Sequence, residues 1–184
     1  MGVFTFQHNG KPYRLERNLE LLPPKKRVGD IGEFLAPILL TSVGFKNIVD
    51  LNRRKANHED ADFLAERNGT YFISVKARNK WERGDDLNKR CLNNRYKLES
   101  TGRKIEDCLA TGKSFNAEFA WVTVQIDNST YCAYFGTHAQ LLIRGTNGKG
   151  VNMSEAHTAH YEVLATNEPH NVPASLISNL GLRR

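Results

Sequence analysis

The chain has 184 residues, of which 40% are hydrophobic, so it holds enough apolar side chains for one sizeable core. No apolar run is long enough to span a bilayer, no signal peptide is recognisable and no low-complexity linker divides the sequence, so we expect a single cytoplasmic domain over residues 1–184. Lys and Arg number 26 against 20 Asp and Glu, and the formal net charge of +6 favours a polyanionic partner.

The first predicted element is a hairpin over residues 3–15, with its turn around His8-Asn9-Gly10. An amphipathic helix is predicted from Arg27 to Val43, because apolar residues recur there at intervals of three and four. Glu33 falls between these apolar positions. A first core strand is predicted over residues 45–49.

Residues 61–76 predict a second hairpin, since aromatic and β-branched residues flank an Asn-Gly pair that tolerates positive φ. The loop length decides which side chains share a face, because successive strand residues alternate. A two-residue loop would set Asp62 opposite Val75 and on the other face from Lys76. A three-residue loop with a left-handed glycine sets Asp62 opposite Ser74 and beside Lys76 on one face, and we predict this second register.

The rest of the chain predicts further helices and strands. A basic helix is expected from Asp85 or Asp86 to about Leu98, and residues 144–153 are expected to form an exposed loop. Together these elements predict an α/β fold in which a mixed β-sheet is flanked by helices, in the order α-β-β-β-α-β. The other predicted elements are helices over 105–109, 138–143 and 173–180 and strands over 117–126, 130–135 and 161–164.

The helix that contains Glu33, followed by a strand and by a hairpin with Asp62 at its start and Ser74-Val75-Lys76 at its end, resembles the catalytic core of the PD-(D/E)xK nucleases. That superfamily includes restriction endonucleases and Holliday-junction resolvases. The resemblance covers about residues 28–126 and implies a restriction-endonuclease-like core that hydrolyses phosphodiester bonds of DNA with a divalent metal. The N-terminal hairpin and the elements of 130–184 are additions to this core.

The resemblance also implies roles for particular residues. Glu33, Asp62 and the carbonyl of Val75 would hold Mg²⁺ or Mn²⁺, an ion that prefers oxygen ligands and keeps several waters. Lys76 would lie beside the attacking water and the scissile phosphate. Ser74 departs from the motif, because it stands where the family has a second acid, and a hydroxyl is a poorer magnesium ligand.

Some restriction enzymes with Ser-x-Lys take the missing glutamate from the following helix. In this chain Glu33 is the preferred replacement, and Glu82 and Asp86 are held in reserve. Two alternatives stay open. Glu33 is either a metal ligand or a solvated helix glutamate, and Asp60 is either a solvated charge at a strand end or a residue that supports the site.

Basic residues are concentrated around these elements, which favours phosphate contacts that do not depend on base sequence. A solvated charged face is the alternative. Trp81 and Tyr96 lie among the basic residues and are candidates to stack on bases, whereas Trp121 is expected in the core. The predicted DNA-binding residues are Lys25, Lys26, Arg27, Arg53, Arg54, Lys55, Arg78, Lys80, Trp81, Arg83, Lys89 and Arg90.

These observations predict a magnesium-dependent DNA endonuclease of the restriction, recombination or repair type. The alternative is a noncatalytic DNA-binding relative that has lost its metal site, and a third interpretation, an RNA-binding module, has no RNP-like or KH-like motif behind it. A homodimer is expected if both DNA strands are cut, and no organic cofactor or membrane partner is expected. Cys91, Cys108 and Cys132 are expected to be reduced.

Overall fold

A computed structural model describes the backbone of residues 2–53, 60–83, 90–99, 102, 104–143 and 147–177. Two short 3₁₀ helices cover Leu19–Leu21 and Leu51–Arg53. The α-helices are α1 (Pro24–Ser42), α2 (Ile105–Ser114), α3 (His138–Ile143), α4 (Glu155–Thr158) and α5 (Ala174–Ile177). The strands are β1 (Gly2–His8), β2 (Lys11–Arg17), β3 (Lys46–Asp50), β4 (Phe63–Glu66), β5 (Thr70–Asn79), β6 (Trp81–Arg83), β7 (Arg90–Leu92), β8 (Arg95–Lys97), β9 (Glu118–Ile126), β10 (Thr130–Thr137), β11 (Gly150–Asn152) and β12 (Glu162–Pro169).

Six of these strands form a central sheet in the order β12-β10-β9-β5-β4-β3. The pair β5–β9 is parallel and the other neighbours are antiparallel. The parallel connection runs through α2, as parallel neighbours require a crossover. The structure thus confirms the α/β class, the mixed sheet flanked by helices and the core order α-β-β-β-α-β. The short strands β6, β7 and β8 are added between β5 and α2.

Helix α1 packs closely on one face of β5. A Cβ atom placed on Gly32 would lie 2.5 Å from the Cβ of Ala77 and 3.4 Å from Cγ1 of Val75. This close approach shows that the odd-numbered residues of β5 face α1, because side chains alternate along a strand. The apolar stripe of the helix is fully buried at Val28, Ile31, Leu35 and Leu39.

The hairpin of β4 and β5 has the register that the sequence predicts. Phe63 pairs with Ile73 and Glu66 with Thr70, which leaves a three-residue loop. The pairing ends at Phe63, and the carboxylate of Asp62 turns to the sheet edge, where it accepts the Val75 N–H, so it does not share the face of Lys76 that the sequence predicts. The loop conformation differs in detail from the prediction. Asn68 takes the left-handed conformation, with φ of 56°, while Gly69 has φ of 157°. Asparagine tolerates this region because its short polar side chain bonds locally.

The N-terminal hairpin is confirmed and is slightly longer than predicted. Asn9 and Gly10 form its two-residue turn with φ of 50° and 73°, the pair of positive angles that a type I′ turn requires. Helix α1 also begins earlier than predicted, at Pro24, a residue suited to the first turn of a helix.

Two predictions about the region after β5 are wrong. The described part of the expected basic helix, 90–98, forms β7 and β8 instead. In β8 the buried Tyr96 and Leu98 alternate with exposed residues, which is the period of a strand. The described part of the expected loop, 147–153, contains β11, which pairs with β8, and Val151 and Met153 are buried.

The later elements agree with the prediction apart from their lengths. Helix α2 continues to Ser114, and the carboxylate of Glu99 accepts the Ile105 N–H at 3.3 Å at its start. Strand β12 continues to Pro169, beyond the predicted end at Leu164. The three cysteines are free thiols, as expected. Among the described residues, no helix has both the length and the apolar character that a membrane crossing needs.

Candidate active site

The second half of β5 has an open edge, and Asp62 lies on it. In the described part of the chain, β4 pairs with β5 only as far as Ile73. The N–H of Asp62 donates to the Ile73 carbonyl at 2.9 Å, and Oδ2 of Asp62 accepts the N–H of Val75 at 2.6 Å. The carboxylate therefore occupies the place that the next residue of a paired strand would take.

The same edge carries the carbonyl of Val75, because the N–H and C=O of one strand residue point to the same neighbour. The main chain of Asp62 is held from the other side, where its carbonyl accepts the N–H of Leu51 at 3.0 Å. Asn52 lies 3.4 Å from Oδ1 of Asp62 through its side-chain amide. These contacts fix one carboxylate and one carbonyl side by side.

Glu33 projects from α1 into a groove that β2 and β3 also line. Desolvation in the surrounding groove, and then the negative charges of Asp62, Asp30 and Asp50, raise the pKa of Glu33 to about 7, and Arg17 opposes the rise. More than a third of the Glu33 surface remains exposed to water, which moderates both the desolvation and the repulsion by the neighbouring carboxylates. The repulsion by Asp62 is the largest of the three charge effects on the pKa of Glu33.

A groove of about 1000 Å³ surrounds Glu33 between α1, β2 and β3. Each wall carries an ion pair. Arg17 contacts Asp30 at 2.9 Å on one side, and Arg53 contacts Asp50 at 3.3 Å on the other. Glu33 thus lies among acids whose charge is partly balanced by two arginines.

Ser74 and Lys76 lie on the face of β5 opposite to α1. Ser74 is fully buried and pairs in register with the buried Trp121 of β9, while Lys76 is half-buried beside Thr123. The carboxylate of Asp62 extends in the plane of the sheet, along the direction of the hydrogen bonds between strands. It therefore lies at the sheet edge, between the face that carries Lys76 and the face that α1 covers. Of the candidate groups, Asp62 and Val75 are in contact at this edge, whereas Lys76 lies on the far face of β5 and Glu33 projects from α1.

Two carboxylates and one carbonyl are the metal ligands that this geometry offers. Among the described residues, no three His, Cys, Asp or Glu side chains are grouped to hold a metal ion. A magnesium site needs only one or two carboxylates when water and a phosphate oxygen fill the other positions. The repulsion that raises the pKa of Glu33 beside Asp62 is the repulsion that a bound cation removes, so these residues fit such a site.

Of the other acids considered from the sequence, the structure describes the side chain of Asp60. Oδ2 of Asp60 accepts a hydrogen bond of 2.7 Å from the Thr111 hydroxyl of α2. Asp60 is therefore fixed to a helix and supports the strand end. The side chains of Glu82 and Asp86 lie outside the described residues.

The predicted DNA-binding residues occupy different settings. Lys25 and Lys26 are exposed at the start of α1. Arg27 instead donates to the carbonyls of Leu22, Glu20 and Ser175, at 2.6, 3.1 and 3.4 Å, and so ties the helix start to its surroundings. Arg54, Lys55 and Lys89, and the side chains of Arg83 and Arg90, lie outside the described residues.

Nearer to the site, Arg53, Arg78 and Lys80 are at least partly exposed, and Trp81 is 37% exposed. Tyr96 is fully buried, so the interpretation that it contacts bases is wrong. Its hydroxyl lies 3.5 Å from the Arg78 carbonyl, and burial holds its pKa well above the usual range. Trp121 is in the core, as expected.

Sequence reasoning missed the charged surroundings of Glu33. Asp30 precedes it by three residues, a spacing that places both on one helix face, so this signal was present in the sequence. Arg17 and Asp50 arrive from β2 and β3, and no local pattern links them to Glu33. Only the packing of the N-terminal hairpin against α1 brings Arg17 there.

No protein-family model matches the chain, and no curated protein matches it. Among solved structures, the chain is similar to Hjc of Archaeoglobus fulgidus, a Holliday junction resolvase from an archaeal hyperthermophile. The two are 14% identical, the match covers 71% of this chain and 89% of Hjc, and the TM-score is 0.42. A likeness at this level assigns no function, so the chemistry has to be argued from the site.

Proposed function

We propose that the chain is a metal-dependent DNA endonuclease that hydrolyses phosphodiester bonds at the open edge of β5. The observation that carries the proposal is the position of Asp62. Its carboxylate is bonded to the Val75 N–H at 2.6 Å, next to the Val75 carbonyl, and it is near enough to Glu33 to raise the pKa of that side chain. Lys76 follows Val75 directly.

Each residue has a distinct task in this proposal. Asp62, Glu33 and the Val75 carbonyl hold Mg²⁺ or Mn²⁺, which when bound supplies Lewis-acid stabilisation and an activated water. Lys76 places a positive charge beside the scissile phosphate and stabilises the negative charge that develops during attack. Ser74 is fully buried in the core. In this proposal Glu33 supplies the carboxylate that is missing at the position of Ser74.

The second candidate is a noncatalytic DNA-binding protein with the same surface. The observation in its favour is that no three His, Cys, Asp or Glu side chains of the described residues are grouped to hold a metal ion. Metal binding separates the two candidates. Millimolar Mg²⁺ should raise the melting temperature of the nuclease, because a ligand that binds only the folded state stabilises it. Asp62→Asn should remove most of this increase, and Asp107→Asn, an exposed acid of α2, should retain it.

Nicking of supercoiled plasmid in Mg²⁺ or Mn²⁺ tests catalysis. We expect Lys76→Ala and Asp62→Asn each to lower the rate by about 100-fold, because the first removes a positive charge that stabilises the transition state and the second removes a carboxylate that would hold the metal. Lys11→Ala is the matched control, because Lys11 is exposed in the N-terminal hairpin. Equal nicking by wild type and Lys76→Ala would exclude the role assigned to Lys76. No nicking by wild type, together with DNA binding, would favour the noncatalytic candidate.

A further inference from the structure

The second half of β5 and the residue that follows it carry positive charges at every second position. Lys76 and Arg78 share one face of β5, and Lys80 comes at the same interval. The N–H of Lys80 donates to the Ile126 carbonyl at 2.7 Å, so the chain still runs beside β9 at this point. We call Lys76, Arg78 and Lys80 the cationic row.

The cationic row lies on the face of β5 away from α1, and β8 contacts this face where the Tyr96 hydroxyl lies 3.5 Å from the Arg78 carbonyl. The opposite face of β5 is covered by α1, whose Gly32 contacts Val75 and Ala77. On the edge itself, β4 pairs only as far as Ile73 in the described part of the chain. All three cationic side chains are partly exposed, and that of Lys80 has 32% of its surface exposed.

The spacing of the row suits a phosphate backbone. Two residues of an extended strand span roughly 6.6 Å, which is comparable with the separation of successive phosphates along one DNA strand. The spacing of the row therefore matches the phosphates of one DNA strand. Charged donors at each step give binding that is independent of sequence.

An aromatic ring stands at the end of the row. Trp81 is 37% exposed, and its Nε1 lies 3.3 Å from Oδ2 of Asp127. Nζ of Lys80 lies 5.6 Å from the centre of the Trp81 ring and 4.0 Å from Oδ2 of Asp127, so Asp127 partly neutralises this end of the row. The ring is thus oriented from one edge and keeps exposed surface for stacking.

We propose that the cationic row binds three successive phosphates of a single DNA strand, with the scissile phosphate at Lys76, and that Trp81 stacks on an unpaired base beyond them. The position of the scissile phosphate rests on the proposed function. The class of DNA that the site selects goes beyond the proposed function. The row and the ring select DNA that is single-stranded on one side of the cut, such as a fork, over continuous duplex.

Tryptophan emission tests the stacking contact, because Trp121, the second tryptophan of the chain, is fully buried. The protein is titrated in EDTA, so that no cleavage occurs, with oligothymidylate, a forked duplex and a blunt duplex. We expect the first two to quench the emission and the blunt duplex not to. Trp81→Phe should abolish the quenching, and Trp81→Ala should weaken binding of oligothymidylate by about tenfold.

A neutral methylphosphonate at the linkage next to the scissile position tests the row. We expect this linkage to weaken binding to the wild type by about tenfold, and to have little effect on Arg78→Ala, which already lacks the contact. Arg14→Ala, an exposed arginine of β2, is the control and should retain the wild-type sensitivity.

Three outcomes would overturn the proposal: quenching by blunt duplex as strong as by the fork, absence of quenching by any of the DNAs, or an undiminished methylphosphonate effect in Arg78→Ala. Its failure is distinguishable from failure of the nuclease assignment. Fork-selective quenching without plasmid nicking would leave the row in place and remove the catalytic role. Nicking without fork-selective quenching would retain the catalytic role and exclude the proposed role of the row.

Discussion

At the scale of single residues, the site depends on two carboxylates that are held in different ways. Asp62 is fixed by a main-chain N–H at the sheet edge, whereas Glu33 projects from α1 into a groove with other acids. Asp62 is held in place and Glu33 is repelled by nearby negative charge, and this combination suits a site for a cation. In the protein without metal, the repulsion at Glu33 should make the free energy of unfolding depend on pH.

The raised pKa of Glu33, about 7 against 4.5, gives a prediction for stability against pH. The folded state holds the proton more tightly than the unfolded state, so this stabilisation is complete below pH 4.5 and is lost as the pH rises through about 7. We therefore expect Glu33→Gln to be more stable than wild type at pH 8, by about 1 kcal/mol after allowance for solvent screening.

Thermal melts of both proteins from pH 4 to pH 8 in EDTA measure this difference. Glu118→Gln, an exposed glutamate of β9, is the control and should follow the wild type at every pH. A constant difference between wild type and Glu33→Gln over the whole range would contradict the assigned repulsion. Asp62→Asn should reduce the pH dependence of this difference, because Asp62 has the largest effect of the neighbouring charges on the pKa of Glu33.

At the scale of elements, the contact between α1 and β5 positions the site, and Gly32 permits it. We expect Gly32→Ala to destabilise the protein by about 2 kcal/mol, because its Cβ would lie 2.5 Å from that of Ala77 and the helix would have to move away. Gly29→Ala is a control in the same helix, since a Cβ there meets nothing within 4 Å. It should stabilise the helix by about 1 kcal/mol.

Chemical denaturation measures both variants. Because the clash is with Ala77, the double variant Gly32→Ala/Ala77→Gly should recover part of the lost stability. Nicking should fall in Gly32→Ala even where the protein is folded, since the shift separates Glu33 from Asp62. A fully active and fully stable Gly32→Ala protein would show that the helix position has no influence on the site.

The strands and helices also differ in how well their positions could be predicted from the sequence. The β4–β5 register followed from turn chemistry and alternation, which are local, and this register decided where Asp62 lies. The strands after β5 were missed because β8 is three residues long and finds its partner, β11, about 50 residues later. Arg17 and Asp50 were missed at the site for the same reason, since only tertiary packing brings them to Glu33.

At the scale of the whole molecule, Arg67 joins distant parts of the fold. Its guanidinium pairs with Glu162 at the start of β12, donates to the Val43 carbonyl and lies 4.2 Å from the centre of the Phe45 ring. The chain thereby ties the β4–β5 loop to the end of α1 and to the opposite side of the sheet. The hydrogen bond with Glu162 also raises the pKa of Arg67, which keeps the pair charged.

We expect Arg67→Met to destabilise the protein by about 2 kcal/mol, because Glu162 then loses its partner in a partly buried position. Arg67→Met/Glu162→Met should be more stable than Arg67→Met alone, since no unpaired charge remains. Urea denaturation gives both values. If the double variant were the less stable of the two, the ion pair would not be the source of the effect.

The parallel pairing of β5 with β9 has a consequence for the order of events during synthesis. The hairpin that carries Asp62 and Lys76 is local and is complete once Asn79 has been made, but its parallel neighbour extends to Ile126. Contacts between such distant segments form slowly, after local ones. The charged groups therefore reach their final surroundings only after Ile126 has left the ribosome, so the nascent chain contains the residues of the site before the site has formed.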